Sequence, residues 1–421
     1  MKFQKILIYN LIFLAISDSF FHLANSGSAG TLIDYITPIS LAAKIAVLYS
    51  LVYFARKSNW EDDLTTTVSI LFKLLLAWNI INIIRGIFSA NGYWEWKFLF
   101  FSTGFFFLVP LAFFVGKSLS LARAALQSVL KYFFAFGFLA IPVGYFTVHH
   151  LYARLMIPIS FFIVMIPYLK SRHKILVVLV AIVSVCVAYD LRANIVKIAI
   201  SILVLLTWYF RKFIALTWLK ILHITLFILP LPLLYLAASG QYNIFNAASQ
   251  NESFIVKDKK LNVGEDESLT ADTRTLLYVE VFKTLNEQND WLFGQGAVGK
   301  YKTHAFDDKA IIKGERFGSE VGFLNTLLYS GIVGVILYAL LVFTVSRNAI
   351  FYSNNWLSKM LGIVVMSRWM QFFLEEYTQF DLNLYFLWII IGLISTRQFR
   401  AMTDQQIKNF ISPKKRNLVT T

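Results

Sequence analysis

Trp291-Leu-Phe-Gly294-Gln-Gly296-Ala-Val-Gly299, then Glu320, then Gly331-Ile-Val-Gly334 are the landmarks on which the reading of this chain turns. They belong to a polar stretch, residues 239–334, that is rich in charge and glycine and runs back without a break into an apolar helix. Before it, apolar runs of about 17 to 25 residues recur, the length an α-helix needs to cross a bilayer core of ~30 Å. Water-soluble chemistry therefore belongs to this loop.

With 57% hydrophobic and only 15% charged residues, the chain has more apolar surface than one soluble core can cover. It reads as an all-α polytopic membrane protein; the alternating ten-residue segments of a membrane β-barrel are absent. A net charge of +15 would point to nucleic acid in a soluble protein. Here the basic residues sit between apolar runs, where the positive-inside rule collects them, so no nucleic-acid partner is expected. The single cysteine, Cys186, excludes an intramolecular disulfide.

The spans read as Ile6–Ala24, Leu32–Phe54, Leu64–Phe88, Phe98–Val115, Tyr132–Val148, Leu155–Leu169, Ile175–Tyr189, Ile195–Phe210 and Ile221–Ala238 before the loop. After it come Val321–Val345, Leu357–Leu374 and Leu382–Ser395, about twelve helices by a ~19-residue window. Lys2 and Lys5 ahead of the first run resemble the basic region of a signal sequence, and that run is kept as a signal anchor. The chain divides into four regions: residues 1–238, a bundle of about nine helices; 239–319, the loop; 320–396, about three more helices; and 397–421, a basic tail. Arg56, Lys57, Lys117, Arg123, Lys170, Arg172, Lys174, Arg211, Lys212, Lys220, Arg347 and Lys359 all fall in alternate connections. The rule then puts both termini in the cytoplasm and the loop outside. Within the loop, Leu276, Leu277, Val281, Phe282 and Leu285 recur at helical spacing, with Thr270 or Asp272 placed to cap. An interfacial helix on the outer leaflet is expected there.

Arginines on the outer side are what this topology makes rare, and Arg154, Arg192 and Arg274 stand there. A guanidinium is a planar fork that matches phosphate oxygens bidentately and keeps its charge. Three of them on one face suit a lipid-linked pyrophosphate, and Lys197, about a turn beyond Arg192, would add to the same pocket. The alternative for each, and more so for Arg85, is an anchor that snorkels to headgroup level. Glu320, where the loop enters the membrane, has two readings as well. A carboxylate partly removed from water is a better general base, whereas an acid at a helix start can simply be a cap.

His304 is the loop's histidine and reads as solvated surface. Arg368 stands mid-span, with Glu375 or Glu376 as expected partner, and Lys44 and Lys73 line a groove or pair internally. The glycine spacing from Gly294 to Gly299 matches a phosphate-binding fingerprint but lacks the strand and βαβ unit that give such a match its meaning. No metal-ligand pattern is visible, and neither a metal nor a cofactor is expected.

The arrangement resembles the O-antigen ligase and Wzy-type polymerase family of bacterial surface-polysaccharide enzymes, over roughly Arg154 to Gly334. Asp190-Leu-Arg192-Ala looks like that family's Ser-Arg-Gly entry to a span. Arg274 through Trp291-Leu-Phe-Gly294-Gln-Gly296 looks like its Arg, helix, Pro-Leu-Xaa-Gly-Xaa-Gly stretch. In the ligases a His and a small polar residue precede Gly-Xaa-Xaa-Gly by nine positions; here that spacing lands on Glu320 and Val321, which favours the polymerase branch.

The resemblance implies a glycosyltransferase C-like enzyme of the bacterial inner membrane. It would polymerise undecaprenyl-pyrophosphate-linked repeats of O-antigen, capsule or exopolysaccharide, with inversion and without a metal. Arg192, Arg274 and Arg154 would hold the pyrophosphate, Glu320 would be the base, and Lys197, His304 and Arg368 would support them. Tyr242, Tyr278, Trp291 and Tyr301 stack on sugars or anchor at the interface. A chain-length regulator and a flippase are the implied partners, besides membrane lipids. Two other functions compete: a ligase that moves finished glycan to a lipid or protein, and a non-enzymatic flippase that depends on Lys44, Lys73 and Arg368.

Overall fold

A computed structural model describes residues 2–25, 33–60, 63–134, 152, 155–156, 158–187, 192–238, 273–303, 314–376 and 379–412. The chain is mostly helical, and four helices, Pro38–Lys57, Thr66–Ser89, Tyr93–Lys117 and Gly322–Phe351, are long and apolar enough to cross a membrane. Large apolar side chains such as Ile45, Ile70, Ile81, Ile84, Ile182, Leu203 and Ile224 lie exposed on several helices, more apolar surface than water tolerates. This is the architecture of a helical membrane protein.

The principal helices are α1 (Lys2–Asn25), α2 (Ile33–Lys57), α3 (Thr66–Ser89), α4 (Tyr93–Lys117), α5 (Arg192–Tyr209), α6 (Thr273–Gln288), α7 (Gly322–Phe351), α8 (Trp356–Gln371) and α9 (Leu382–Ser395). Most expected spans lie within a few residues of these. Two are broken differently. Among the described residues of Leu155–Leu169 stand the short helices Ile159–Ile163 and Ile166–Tyr168 rather than one continuous span, and Ile221–Ala238 divides into Leu216–Ile228 and Pro230–Ala238. Prolines 158, 167 and 230 stand at these breaks, where a residue without an amide proton cannot continue a helical ladder. The expected span Tyr132–Val148 falls largely outside the described residues.

The 14-residue α9 is buried along its whole length and packs against α1, α4, α7 and α8. It is shorter than a bilayer crossing needs and serves as the central post of the bundle. Gly116 of α4 faces Gly392 of α9: a Cβ on either would overlap a backbone carbonyl, Ile389 O or Phe113 O, so only paired small residues let the helices approach this closely. Asp381 starts α9 by accepting from the Leu384 amide at 2.7 Å, and Asn355 starts α8 in the same way from Ser358 at 2.8 Å.

Helix α7 is broken inside. Gly331 adopts φ 64° and ψ −171°, a region essentially reserved for glycine. The break frees carbonyls and amides in an apolar bundle, where each must find a partner. Residues 291–296 supply most of them. The amides of Gln295 and Gly296 donate to Leu328 O (2.8 Å) and Tyr329 O (2.9 Å), and those of Ile332 and Val333 donate to Trp291 O (2.9 Å) and Leu292 O (3.2 Å). Trp78 of α3 adds its indole N–H to Ser330 O at 3.0 Å. Arg85 of α3 clamps the inserted loop through Phe293 O (2.6 Å) and Gly294 O (2.5 Å). The loop is thus a plug in a broken helix.

Helix α6 packs through buried Leu277, Val281 and Leu285 onto the protein, and the Tyr278 hydroxyl donates to Phe373 O at 2.7 Å. Its apolar stripe therefore meets α7 and the end of α8, while Val279 on another side is exposed. Beyond the plug, Tyr301–Lys302 and Glu315–Arg316 form a short antiparallel hairpin, Tyr301 opposite Arg316 and Lys302 opposite Glu315. At the other end of the bundle, Asp404 accepts from the Tyr168 hydroxyl (2.7 Å) and the Trp356 amide (2.9 Å), while Asp63 O accepts from the Arg397 amide (2.8 Å).

Candidate functional site

The glycine-rich stretch is not a phosphate cradle. The amides of Gly294, Gln295, Gly296, Ala297 and Gly299 all donate to backbone carbonyls, those of Asp290, Leu328, Tyr329, Asn82 and Gly296. A phosphate would need those amides pointing at open space. Likewise Arg85, read as a helix-end anchor, spends its guanidinium on Phe293 O, Gly294 O and Asn82 Oδ1.

Glu320 stands just before α7 with its side chain 52% exposed, 3.7 Å from Arg316 Nη2. About half of its side-chain surface is thus removed from water. It does not cap the helix: Val321 is the cap, without a side-chain bond, and the first amides, Gly322 and Phe323, donate to Glu375 O (2.8 Å) and Phe372 O (2.9 Å). The turn carrying Glu320 is held instead by Asn325, whose Oδ1 accepts from the Ser319 amide (2.6 Å) and hydroxyl (2.9 Å). Glu320 is thus a carboxylate on a fixed turn, facing solvent beside a guanidinium.

Arg316 carries no signal in the sequence, because it lies in a two-residue strand without periodicity. Burial pushes the Tyr301 phenol up to about 12, with Arg316 opposing and Glu280 and Glu320 adding to the rise. Tyr301, Arg316, Glu280 and Glu320 therefore form one electrostatic cluster at the hairpin.

Lys197 of α5 is buried and pairs with Glu375 at 2.8 Å. This takes the partner expected for Arg368, which donates instead to Gln371 Oε1 (2.6 Å) and Ser160 Oγ (2.5 Å), its guanidinium over the Phe161 ring. Breaking a buried pair by removing one partner strands a charge and costs about 3–5 kcal/mol, whereas replacing both by apolar groups is often neutral. Lys197→Met is thus expected to lower the melting temperature of the detergent-solubilised protein, and Lys197→Met with Glu375→Leu to recover most of the loss. A double variant no more stable than the single one would show that the pair is not the reason.

Backbone geometry brings together what the sequence separates. Arg192 is the first residue of α5, five positions before Lys197, so that helix begins near Glu375. Arg274 is one turn before Tyr278 on α6, and Tyr278 holds Phe373 O. Glu320 is joined to the same segment through the Gly322 and Phe323 amides. The helix starts carrying Arg192 and Arg274, and the turn carrying Glu320, therefore converge on residues 372–375. The side chains of Arg192 and Arg274, and all of Arg154 and His304, lie outside the described residues.

Deeper in the bundle, Lys44 donates to Phe101 O at 3.0 Å with the charges of Asp18 and Asp381 close by, and Asp18 accepts from the Leu382 amide at 3.3 Å. Lys44 thus pairs internally, one of its two expected roles, while Lys73 is half-buried on α3. Asp381 also acts on Lys197, which lies near Arg368, so a string of acids and bases runs from Asp18 to Arg368.

No family model, curated protein or solved structure matches the chain.

Proposed function

We propose that the protein is a glycosyltransferase that polymerises oligosaccharide repeats carried on a polyprenyl pyrophosphate, acting on the outer face of a bacterial inner membrane. The observation that supports this best is the convergence of the Arg192, Arg274 and Glu320 segments on residues 372–375, with Arg316 beside Glu320. In this reading about twelve helices span the membrane and both termini are cytoplasmic.

The acceptor sugar hydroxyl attacks the anomeric carbon of the donor glycan. The new C–O bond forms as the bond from that carbon to the pyrophosphate oxygen breaks, and the pyrophosphate leaves with the electron pair. Glu320 takes the hydroxyl proton, and Arg192, Arg274 and Arg316 stabilise the charge growing on the leaving group, as fixed donors do for a transition state. Solvent beside the half-exposed Glu320 receives the proton afterwards. Arg154 is an additional phosphate contact in this scheme, and Lys197 and Arg368 hold α5 and α8 in register.

The string of buried charges from Asp18 to Arg368 favours a second reading, a flippase for the same lipid-linked glycan, because ionisable groups within membrane helices often mark a transport path. Deleting the gene in the native host separates the readings. A polymerase leaves single repeats on the carrier at the outer face, a ligase leaves finished polymer there, and a flippase leaves repeats at the inner face. Arg192→Ala and Arg274→Ala should each reduce long-chain product roughly 10- to 100-fold, the worth of one hydrogen bond to a charged group. Unchanged glycan ladders in both would remove them from the site.

A further inference from the structure

An open polar cleft of about 420 Å³ lies on the far side of the hairpin from Glu320, bounded by the ends of α3 and α6, the start of α4 and residues 295–302. Its size is within the ~300–1,000 Å³ of small-molecule sites. The nature of its ligand follows from which charges are already engaged. Lys300 pairs with Glu95 (2.6 Å) and Glu315 (3.5 Å), Lys302 pairs with Glu287 (2.8 Å), and Arg85 is bound to backbone carbonyls. An anion entering the cleft meets no uncommitted cation among the described residues.

Hydrogen-bonding groups that are not cationic remain. The Ser89 and Gln288 side chains line the cleft and are exposed, Gln288 Oε1 accepting from Gln295 Nε2 at 2.6 Å, and the Asp290 carboxylate lines it within the field of Arg85. No aromatic ring lines it among the described residues. A ligand is then held by hydrogen bonds without stacking, which suits an uncharged polyhydroxyl chain that must move on after each addition.

The hairpin links this cleft to the chemistry. Successive residues of a strand point to opposite faces: Lys302 and Glu315 line the cleft, while Tyr301 and Arg316 belong to the cluster with Glu320. A glycan whose reacting end lies at Glu320 and which crosses the hairpin arrives in the cleft.

We infer that this cleft is a saccharide subsite that holds uncharged sugar residues of the growing or accepting glycan remote from the bond being made, and so sets how long the chain is retained. The inference rests on the polymerase reading and deepens it. Gln288→Trp fills the cleft from an exposed helix end, and Asp290→Asn removes the acceptor charge without changing shape.

Two measurements test it. In the native host, Gln288→Trp should shorten the modal glycan length at least twofold while bonds between repeats still form. With purified protein in detergent, saturation-transfer NMR should detect one-repeat oligosaccharide, released from the host glycan by mild acid, on the wild type. The signal should fall at least threefold in Gln288→Trp and measurably in Asp290→Asn. Wild-type ladders and undiminished signal in both variants, or no signal on the wild type, overturn the subsite. A gene deletion that leaves the host glycan unaltered overturns polymerisation instead, and the NMR arm then decides the cleft on its own.

Discussion

Gly331→Ala is expected to prevent the protein from accumulating in the membrane, and any fraction recovered should melt far below the wild type. At φ 64° and ψ −171° an L-residue is strained by about 1–3 kcal/mol before any contact is considered. The added Cβ would also overlap Leu292 O and stand 2.5 Å from Gly294 N, both backbone atoms of the plug. Neither can rotate aside, so the plug must move. Its departure strands the carbonyls of Leu328 and Tyr329 and the amides of Ile332 and Val333, each unmet group costing about 1–3 kcal/mol. The sum is comparable with the ~5–15 kcal/mol that holds a typical protein folded. Gly294→Ala should behave alike, since its Cβ would lie 2.6 Å from Gly331 N. Gly314→Ala is the control, for Gly314 shares a positive φ, 73°, but nothing lies within 4 Å among the described residues. Membrane abundance and thermal melts in detergent read all three, and equal losses at Gly314 and Gly331 would sink the account.

Glu320→Gln should do the opposite: leave the fold alone and remove the reaction. General-base catalysis typically contributes 10²–10⁴-fold, so formation of polymer from carrier-linked repeats should fall by about that factor. Stability should change little, because the one ion pair lost, to Arg316 at 3.7 Å, is largely solvated, and such pairs are worth ~0–1 kcal/mol. A time course of chain growth in membranes, normalised to protein abundance, measures the ratio. Long chains formed at the wild-type rate would take Glu320 out of the chemistry.

Helix existence is legible from apolar run length, and α9 lies where its run predicts, at Leu382–Ser395. What runs cannot report is their partners. Gly294 and Gly331 are visible in the sequence as two separate glycine motifs, yet their meaning is mutual: each occupies the space a Cβ on the other would need. Arg85 resembles a lipid anchor because its acceptors, Phe293 O and Gly294 O, lie 208 and 209 residues away. Glu375 is predictable as a partner for a buried base, but the choice of Lys197 over Arg368 depends on how α5 packs on α8. Among the candidate site residues, the sequence singles out Glu320 and passes over Arg316, since two strand residues carry no period.

The plug also imposes an order on synthesis. Trp78 emerges from the ribosome 252 residues before its acceptor, Ser330, and α3 must wait with its indole free and Arg85 bonded only to Asn82 of the same helix. Residues 291–296 emerge before α7 and cannot insert until both of its halves have followed, and α8 and α9 come only afterwards. Assembly therefore closes late, first at the plug and then around α9. A chain that stalls before residue 334 leaves a half-built helix that membrane quality control can recognise.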